Sequence, residues 1–307
     1  MIYTLKRFGK FLVAKFTIKL LNSADLYKTI DKSVDQKIQN IELRLSHFPQ
    51  EILKLFFNEL RLNPDAIEFS KKLESILTLH RPLNKRFTRK GDDKDGGYVL
   101  VDDLTTGDTL FSIGVGDNIT FDIDCENQVL VIVLVDDSVP YFEVLKNNYT
   151  IHRKKLGAYE DSSHITLDKL LNIYQSKDYI LKIDIEGNEW EILASLKTAT
   201  LLKFRQIVIE LHDLLDISKS ELKLRALNNL LKTHSPVVIH PNNIGGYRLV
   251  GDSIFPNVLE TTWLRRDSYD LVEGIDREVL ALEKINDPEK SSVWVNWIYR
   301  PSSMPYD

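Results

Sequence analysis

The densest chemistry in this chain is the stretch Tyr179-Ile-Leu-Lys-Ile-Asp-Ile-Glu-Gly-Asn-Glu-Trp190. An apolar run that ends on Asp184 and Glu186 reads as a buried strand delivering two acids to the carboxyl edge of a sheet. Gly187 then permits a tight turn, and Glu189-Trp-Glu-Ile-Leu193 starts a helix. Acids in that place can bind an ammonium, orient a hydroxyl or accept its proton, while Asp184 could equally cap the turn. A second apolar run, 206–211, ends on His212. Histidine titrates near working pH, so His212 is the preferred general base, with Glu186 and His240 as the other candidates. A plain loop hydrogen bond is the competing role for His212. The segment His240-Pro-Asn242-Asn243 offers His240, Asn242 and Asn243 to substrate hydroxyls. Asp184, Glu186, Glu210 and His212 could converge on a divalent cation, but their spacing does not show one, so no metal is assigned.

A glycine turn supplies the second constellation. The run 109–113 leads into Gly114-Val-Gly116-Asp117-Asn118, and a short helix is expected near Ile119. Ligands of open α/β sheets bind beyond the carboxyl ends of the strands, and two glycines let the backbone come close to one. Asp117 or Asn118 can cap the helix. A dinucleotide fingerprint wants a third glycine, where this chain has Ile119, and Asp117 would face a pyrophosphate badly. The loop suits a cationic, phosphate-free nucleoside better, which counts against a nicotinamide-dependent oxidoreductase. The run 129–135 ends in Asp136-Asp137-Ser138, about 20 residues after Gly116, where an acid accepts hydrogen bonds from ribose hydroxyls. Asp136 is the expected ribose ligand; helix capping or solvation of the strand end is the alternative.

Positioning these groups requires a sheet. Apolar runs at 109–113, 129–135, 179–183, 206–211, 237–240 and 258–264 alternate with helical patterns and lack strict period-two alternation. That is the texture of strands buried on both faces. The last two runs are joined by a glycine-containing loop, 242–256, and can pair antiparallel. The expected fold is α/β and Rossmann-like: a mostly parallel sheet with one reversed strand, preceded by an N-terminal helical extension. Ile30, Val34, Ile38, Ile41 and Leu45 keep helical spacing, and glycine is absent from 24–80. The expected organisation is a helical region over 1–80, a core over 81–270, and a tail over 271–307 that docks through Trp294, Trp297 and Tyr299. Residues 24–80 are read as packing, a lid or a homo-oligomer contact.

Composition bounds the partners. Of 307 residues, 43% are hydrophobic and 28% charged, which is ordinary for a soluble globular protein. A net charge of -5 argues against a general nucleic-acid binder. Cys125 is the single cysteine, so no intrachain disulfide and no cysteine zinc cluster can form, and it reads as a buried spectator in a cytoplasmic setting. The most apolar N-terminal stretch, 11–21, is interrupted by Lys15 and Lys19, which argues against a transmembrane span and a signal peptide. Residues 1–20 nevertheless carry Lys6, Arg7, Lys10, Lys15 and Lys19 without an acid, and Leu5, Phe8, Leu12 and Phe16 recur at helical spacing. This segment is expected to pack on its own protein or a partner chain, with peripheral contact at the inner membrane surface as the alternative.

The string Lys182-Ile-Asp-Ile-Glu-Gly-Asn-Glu-Trp190 closely resembles the signature of the FkbM-type methyltransferases. Arg89-Lys-Gly-Asp92 with Asp95-Gly-Gly-Tyr98-Val-Leu100 resembles the family's first motif, and Ser112-Ile-Gly-Val-Gly-Asp-Asn-Ile-Thr-Phe-Asp122 its glycine loop. Thr166-Leu-Asp-Lys-Leu170, Gln206-Ile-Val-Ile-Glu-Leu-His212, His240-Pro-Asn-Asn243 and Val258-Leu-Glu-Thr-Thr-Trp263 match later blocks in order. The resemblance spans about residues 85–266. It implies a class I methyltransferase core and S-adenosylmethionine as methyl donor. It also implies transfer to a hydroxyl of a sugar, glycan or small metabolite. Gly97, Tyr98, Gly114, Gly116, Asp117, Asp136, Asp137, Ser138 and Asp184 then form the cofactor set. The family often has Asp-Pro where this chain has Asp136-Asp137, which leaves open which acid takes the ribose, and residues 1–80 have no counterpart. A non-catalytic methyltransferase-like scaffold is the remaining alternative.

Overall fold

A computed structural model describes residues 58–139, 146–290, 292, 295, 297 and 298. The basic segment 1–20, the helical spacing of 24–57, Trp294 and Tyr299 lie outside these residues. The described elements belong to one compact unit, Leu62–Asp307. In chain order they begin with α1 (Pro64–Ile76), β1 (His80–Pro82), β2 (Phe87–Lys90), β3 (Tyr98–Val101), β4 (Asp108–Ile113), α2 (Thr120–Cys125), β5 (Val131–Val135) and β6 (Tyr149–His152). Next come β7 (Lys155–Leu156), β8 (His164–Ile165), α3 (Leu167–Ile173), β9 (Asp178–Ile183), α4 (Glu189–Ser195), α5 (Thr198–Leu201) and β10 (Phe204–Leu211). The chain continues through α6 (Ser220–Leu230), β11 (His234–Pro241), β12 (Tyr247–Val250), β13 (Ser253–Pro256), β14 (Leu259–Arg265), β15 (Leu271–Glu273) and α7 (Arg277–Leu282).

Seven strands form the central sheet in the order β11-β14-β10-β9-β4-β5-β6. All neighbours are parallel except β14, which runs antiparallel to β10 and β11. The chain winds outward from β4 to β6 on one side and from β9 on the other, so the switch point lies between β4 and β9. The six apolar runs became six of these strands, and the reversed strand is where the sequence placed it. The seventh, β6, was not visible in the sequence because Tyr149, Thr150, Ile151 and His152 are all half-buried at the sheet edge and make no apolar run. The expected loop over 242–256 folds instead into the hairpin β12–β13.

The hairpin β2–β3 ties both cores to the sheet. Residues of β3 alternate, so Tyr98 and Leu100 enter one cluster with Leu110, Phe121 and Cys125, while Val99 and Val101 enter another with Val238 and Leu264. Helix α1 starts at Pro64 behind the N-cap Asn63, whose side chain accepts from Asp65 and Ala66 N–H at 2.9 and 3.2 Å. It buries Ala66, Phe69, Leu73 and Ile76, and Phe69 lies under the Lys223 ammonium of α6. This apolar stripe commits α1 to the same unit as the sheet, so that unit begins at Leu62 and not at 81. Near the C-terminus, β15 pairs with β1, and Trp297 stacks on Phe255 with ring centroids 5.0 Å apart.

Candidate active site

Strand register lines up the chemistry. His240 of β11 pairs with Glu260 of β14, and Glu260 pairs with Glu210 of β10. Asp184 follows Ile183, the partner of Ile209 and of Ile113; Gly114 follows Ile113, and Asp136 follows Val135. Backbone bonds from Asp184 N–H to the Ile113 carbonyl and from Gly114 N–H to the Val135 carbonyl, both 3.0 Å, carry the row one residue past the strands. One row along the carboxyl edge therefore reads His240, Glu260, Glu210, Asp184, Gly114, Asp136. The switch point falls between Asp184 and Gly114.

On the glycine side the backbone itself is shaped. Gly114 has φ +72, and a Cβ there would stand 1.6 Å from the Asp184 carbonyl oxygen, so only glycine fits. Gly116 has φ +55 and open space where its Cβ would be, which leaves a cradle above the loop. Asp136 fastens that loop. Its Oδ2 accepts from Val115 and Gly116 N–H at 2.8 and 2.9 Å, and its Oδ1 accepts from Ser138 N–H and Oγ at 2.7 Å. Partial burial opposes its charge, but the Gly116, Ser138 and Val115 donors outweigh it and hold the carboxyl below its usual range. Asp137 is exposed and 3.6 Å from Lys155. Asp117 is also exposed, and Asn118, not Asp117, accepts from Thr120 N–H at the start of α2.

On the acid side the groups are buried and crowded. The Tyr98 hydroxyl is 2.9 Å from Asp184 Oδ2 and 3.2 Å from Glu210 Oε2. Lys182 donates to the Gly114 carbonyl at 2.6 Å and stands 3.6 Å from Asp184, tying the two sides together. Asn242 bridges Glu210 at 2.8 Å and Asp95 at 3.2 Å, while Asn286 bridges Asp95 and Glu260. His212 Nε2 lies 3.5 Å from Glu186 and 3.8 Å from both Asp184 and Glu210. Glu189, fully buried, accepts from His212 N–H at 2.6 Å and Gly187 N–H at 2.9 Å, and lies 3.4 Å from His212 Nδ1. Burial, then Asp184 and Glu260, push the Glu210 carboxyl well above its usual range, and burial raises Glu260 to about 7. Burial opposes charge on His212, but Glu189, Glu210 and Asp184 outweigh it and lift the ring to about 9. The flanking residues Glu186 and Asp213 both adopt φ near +50 (+53 and +55), strain that tends to gather at functional sites.

The structure thus brings Asp184, Glu186 and His212 together, with Tyr98 added from the hairpin. His212 sits among carboxylates that favour its charged form, so the near-neutral titration expected from a free histidine does not hold there. Gly97 packs against Asp92 and Arg89, where a Cβ would lie 2.0 Å from the Asp92 carbonyl oxygen. Asn242 is part of the acid cluster, but Asn243 spends its amide on the backbone of Asp287 at 2.8 Å and Lys290 at 3.3 Å. His240 faces Asn286 at 3.2 Å and Glu283 at 3.6 Å. Sequence reasoning missed Asp95, Lys182, Glu189, Glu260 and Asn286 as site residues. All but Asn286 lie inside the motif strings, whereas nothing in the sequence marks Asn286.

Strand order, reversed β14, the switch-point glycine loop and the facing acids together define a Rossmann-like methyltransferase architecture. Residues 105–231 match the family model of the methyltransferase FkbM domain, the family that the Lys182–Trp190 string resembles. No curated protein sequence matches the chain. An rRNA methylase from Streptococcus thermophilus superposes with 8% identity and a TM-score of 0.32, over 53% of this chain and 89% of that one. A protein from Streptococcus mutans described as a "putative methyltransferase", in complex with SAH, has 9% identity, a TM-score of 0.30 and coverage of 53% and 88%. A "putative hemolysin" from Streptococcus thermophilus has 8% identity, a TM-score of 0.33 and coverage of 71% and 88%. None of these likenesses assigns an activity. No described helix is long and apolar enough to cross a membrane.

Proposed function

We propose that this protein transfers a methyl group from S-adenosylmethionine to a hydroxyl oxygen of a sugar, glycan or small metabolite. The observation that carries the reading is the row along the carboxyl edge, where a clamped, open glycine loop adjoins buried acids that no lysine or arginine matches one for one. Gly114 and Gly116 hold the loop, and the cradle over Gly116 receives the nucleoside. Asp136 fixes the loop and turns its Ser138-bonded oxygen toward the ribose. Asp184 sets negative charge where a methionine ammonium and a sulfonium are favoured, and such a cation would draw the raised Glu210 carboxyl toward its ionised form. When bound, the cofactor supplies an activated methyl for in-line attack by an oxygen.

The chain's own task is then to hold the acceptor and take its proton. Asp184, Glu186 and His212 line the acceptor side, and Glu186 is the exposed member that reaches solvent. Asn242 and Tyr98 keep Glu210 and Asp184 in place through the bonds given above. A hydroxyl is a poor nucleophile while protonated, so a carboxylate within reach of its proton accelerates attack, and the His212 ring, lifted to about 9, accepts the proton only in its neutral form. Cytoplasmic location, peripheral contact through residues 1–20 and association through 24–80 belong to the same reading, motivated by the basic segment and helical spacing.

Calorimetry with S-adenosylhomocysteine tests the cofactor half: binding is expected, and Gly116→Arg should abolish it. Tight NAD binding with no affinity for the nucleoside would sink the reading in favour of an oxidoreductase. A labelled-methyl screen of sugars and glycolipids tests the acceptor half. Turnover of Glu186→Gln and His212→Ala close to wild type at saturating acceptor would remove both from the proton-transfer role.

A further inference from the structure

One feature of the acid side is not explained by proton transfer. Asp184 Oδ1, a Glu210 carboxylate oxygen and a ring nitrogen of His212 all lie within 4.8 Å of one another. The separations from Nε2 to Asp184 Oδ1 and Glu210 Oε1, 3.8 Å each, exceed hydrogen-bond length. Ligands held about 2.1–2.4 Å from one cation stand roughly 3–4.8 Å apart, which is the spacing seen here. His212 is nine-tenths buried and aims Nε2 into this gap, while its Nδ1 has no hydrogen-bond partner. Behind Nδ1 stands the fully buried Glu189, 3.4 Å away and fixed by two backbone N–H groups. A carboxylate behind the second ring nitrogen is the support that metal-bound histidines have.

We propose that Asp184, Glu210 and His212 form a divalent-cation site at the mouth of the sheet, taking a cation of the magnesium or manganese class. One imidazole and two carboxylates suit such cations and not those that seek thiolates. The Tyr98 hydroxyl lies against Asp184 Oδ2 and Glu210 Oε2, with one proton to donate between them, and the other oxygen of each acid faces His212. A neighbouring trio, Asp95, Glu210 and Glu260, is also close enough, but amide donors from Asn242 and Asn286 bond all three of its acids, whereas in the first trio only Glu210 Oε1 takes such a donor, from Asn242. The cation would take the acceptor hydroxyl as its exchangeable ligand and lower that hydroxyl's pKa. This last role rests on the methyltransferase reading, whereas the site itself does not.

Mn2+ titration of the full chain, followed by electron paramagnetic resonance and calorimetry, tests the site without an assay of turnover. One tight site is expected. Asp184→Asn, Glu210→Gln and His212→Gln should each remove it, Glu189→Gln should weaken it about 10–100-fold, and Glu260→Gln should leave it intact. The spin-echo spectrum of the wild-type Mn2+ complex should carry the coupling of one imidazole nitrogen, a readout taken on the wild-type protein that does not depend on how well a variant folds. No tight Mn2+ site, no imidazole coupling, or loss in Glu260→Gln with retention in His212→Gln would each overturn the proposal. S-adenosylhomocysteine binding measured in EDTA separates the two readings. Cofactor bound without Mn2+ affinity defeats the cation site alone, and Mn2+ bound with the stated dependence but no cofactor affinity defeats the methyltransferase reading alone.

Discussion

At the amino end of the central sheet, buried acids meet a guanidinium. Arg205 at the start of β10 bonds Asp103, Asp108 at 2.6 Å and the Tyr269 hydroxyl at 2.9 Å, while Gln206 supplies Asp103 with a further donor at 2.8 Å. At the carboxyl end, Asp184, Glu210 and Glu260 gather with one lysine beside Asp184. Among the described residues, no arginine or lysine comes within ion-pair distance of Glu210 or Glu260. Glu210 faces Glu260 directly across the strand pair, where two charges would repel, and burial with that repulsion favours the protonated form of Glu210. The contrast separates two settings of buried charge: at one end a guanidinium pairs the acids directly, at the other Asp184 and Glu210 share the more distant His212 ring, 3.8 Å from each.

Glu210→Gln is the sharpest attack on this contrast. Methyl transfer should fall about 10²–10⁴-fold, while urea denaturation should show no large loss of stability, because an amide keeps the neutral form that burial already favours at Glu210. A large loss of stability would mean that Glu210 holds the fold as Arg205 does. At the matched end, Arg205→Met should cost about 3–5 kcal/mol by the same denaturation measurement, since it strands Asp103 and Asp108 without their cation. A cost under about 1 kcal/mol would erase the distinction between the two ends.

Asp136→Ala releases the loop without touching the acid cluster. S-adenosylhomocysteine affinity should drop by about 1.5–3 kcal/mol, the size of a lost charged hydrogen bond. If Asp137→Ala has that effect and Asp136→Ala does not, the exposed neighbour is the ribose ligand. His234, at the start of β11, gives the smallest effect. Burial lowers its pKa to about 4, with Nε2 on the Phe204 carbonyl at 2.8 Å and Nδ1 on the Thr233 hydroxyl at 2.7 Å. The unfolded chain therefore binds a proton that the folded chain refuses, so this contribution is complete above the ordinary histidine pKa and is lost as pH falls toward 4. Between pH 7 and pH 5 it amounts to about 2 kcal/mol. His234→Gln should flatten the stability profile by that amount, and an unchanged slope would show that His234 is charged in the folded protein.

Much of this was legible in the chain. The apolar runs fixed six strands because buried parallel strands need continuous apolar sequence. Gly114 and Gly116 marked the loop because their backbone angles and close approaches admit no side chain at the first and leave room at the second. Asp184, Glu186 and His212 were recognisable because each ends an apolar run. By contrast, β6 was hidden by its half-buried edge position, and α1 was assigned outside the core because its stripe reads the same whether it packs on this sheet or elsewhere.

What the sequence by itself determined was therefore local: which segments are strands, where they end, and which acids and glycines stand at those ends. The tertiary structure alone decided how those ends align. A one-residue slip in β14 would carry Glu260 to the other face of the sheet, and no periodicity in a single strand specifies its partner's register. The placement of His240, Glu260, Glu210, Asp184, Gly114 and Asp136 in one row is a property of pairing across five strands and a reversed one. So are the amide of Asn286 against Glu260 and the carboxylate of Glu189 behind His212, because contacts between residues far apart in the chain are set by packing and not by spacing.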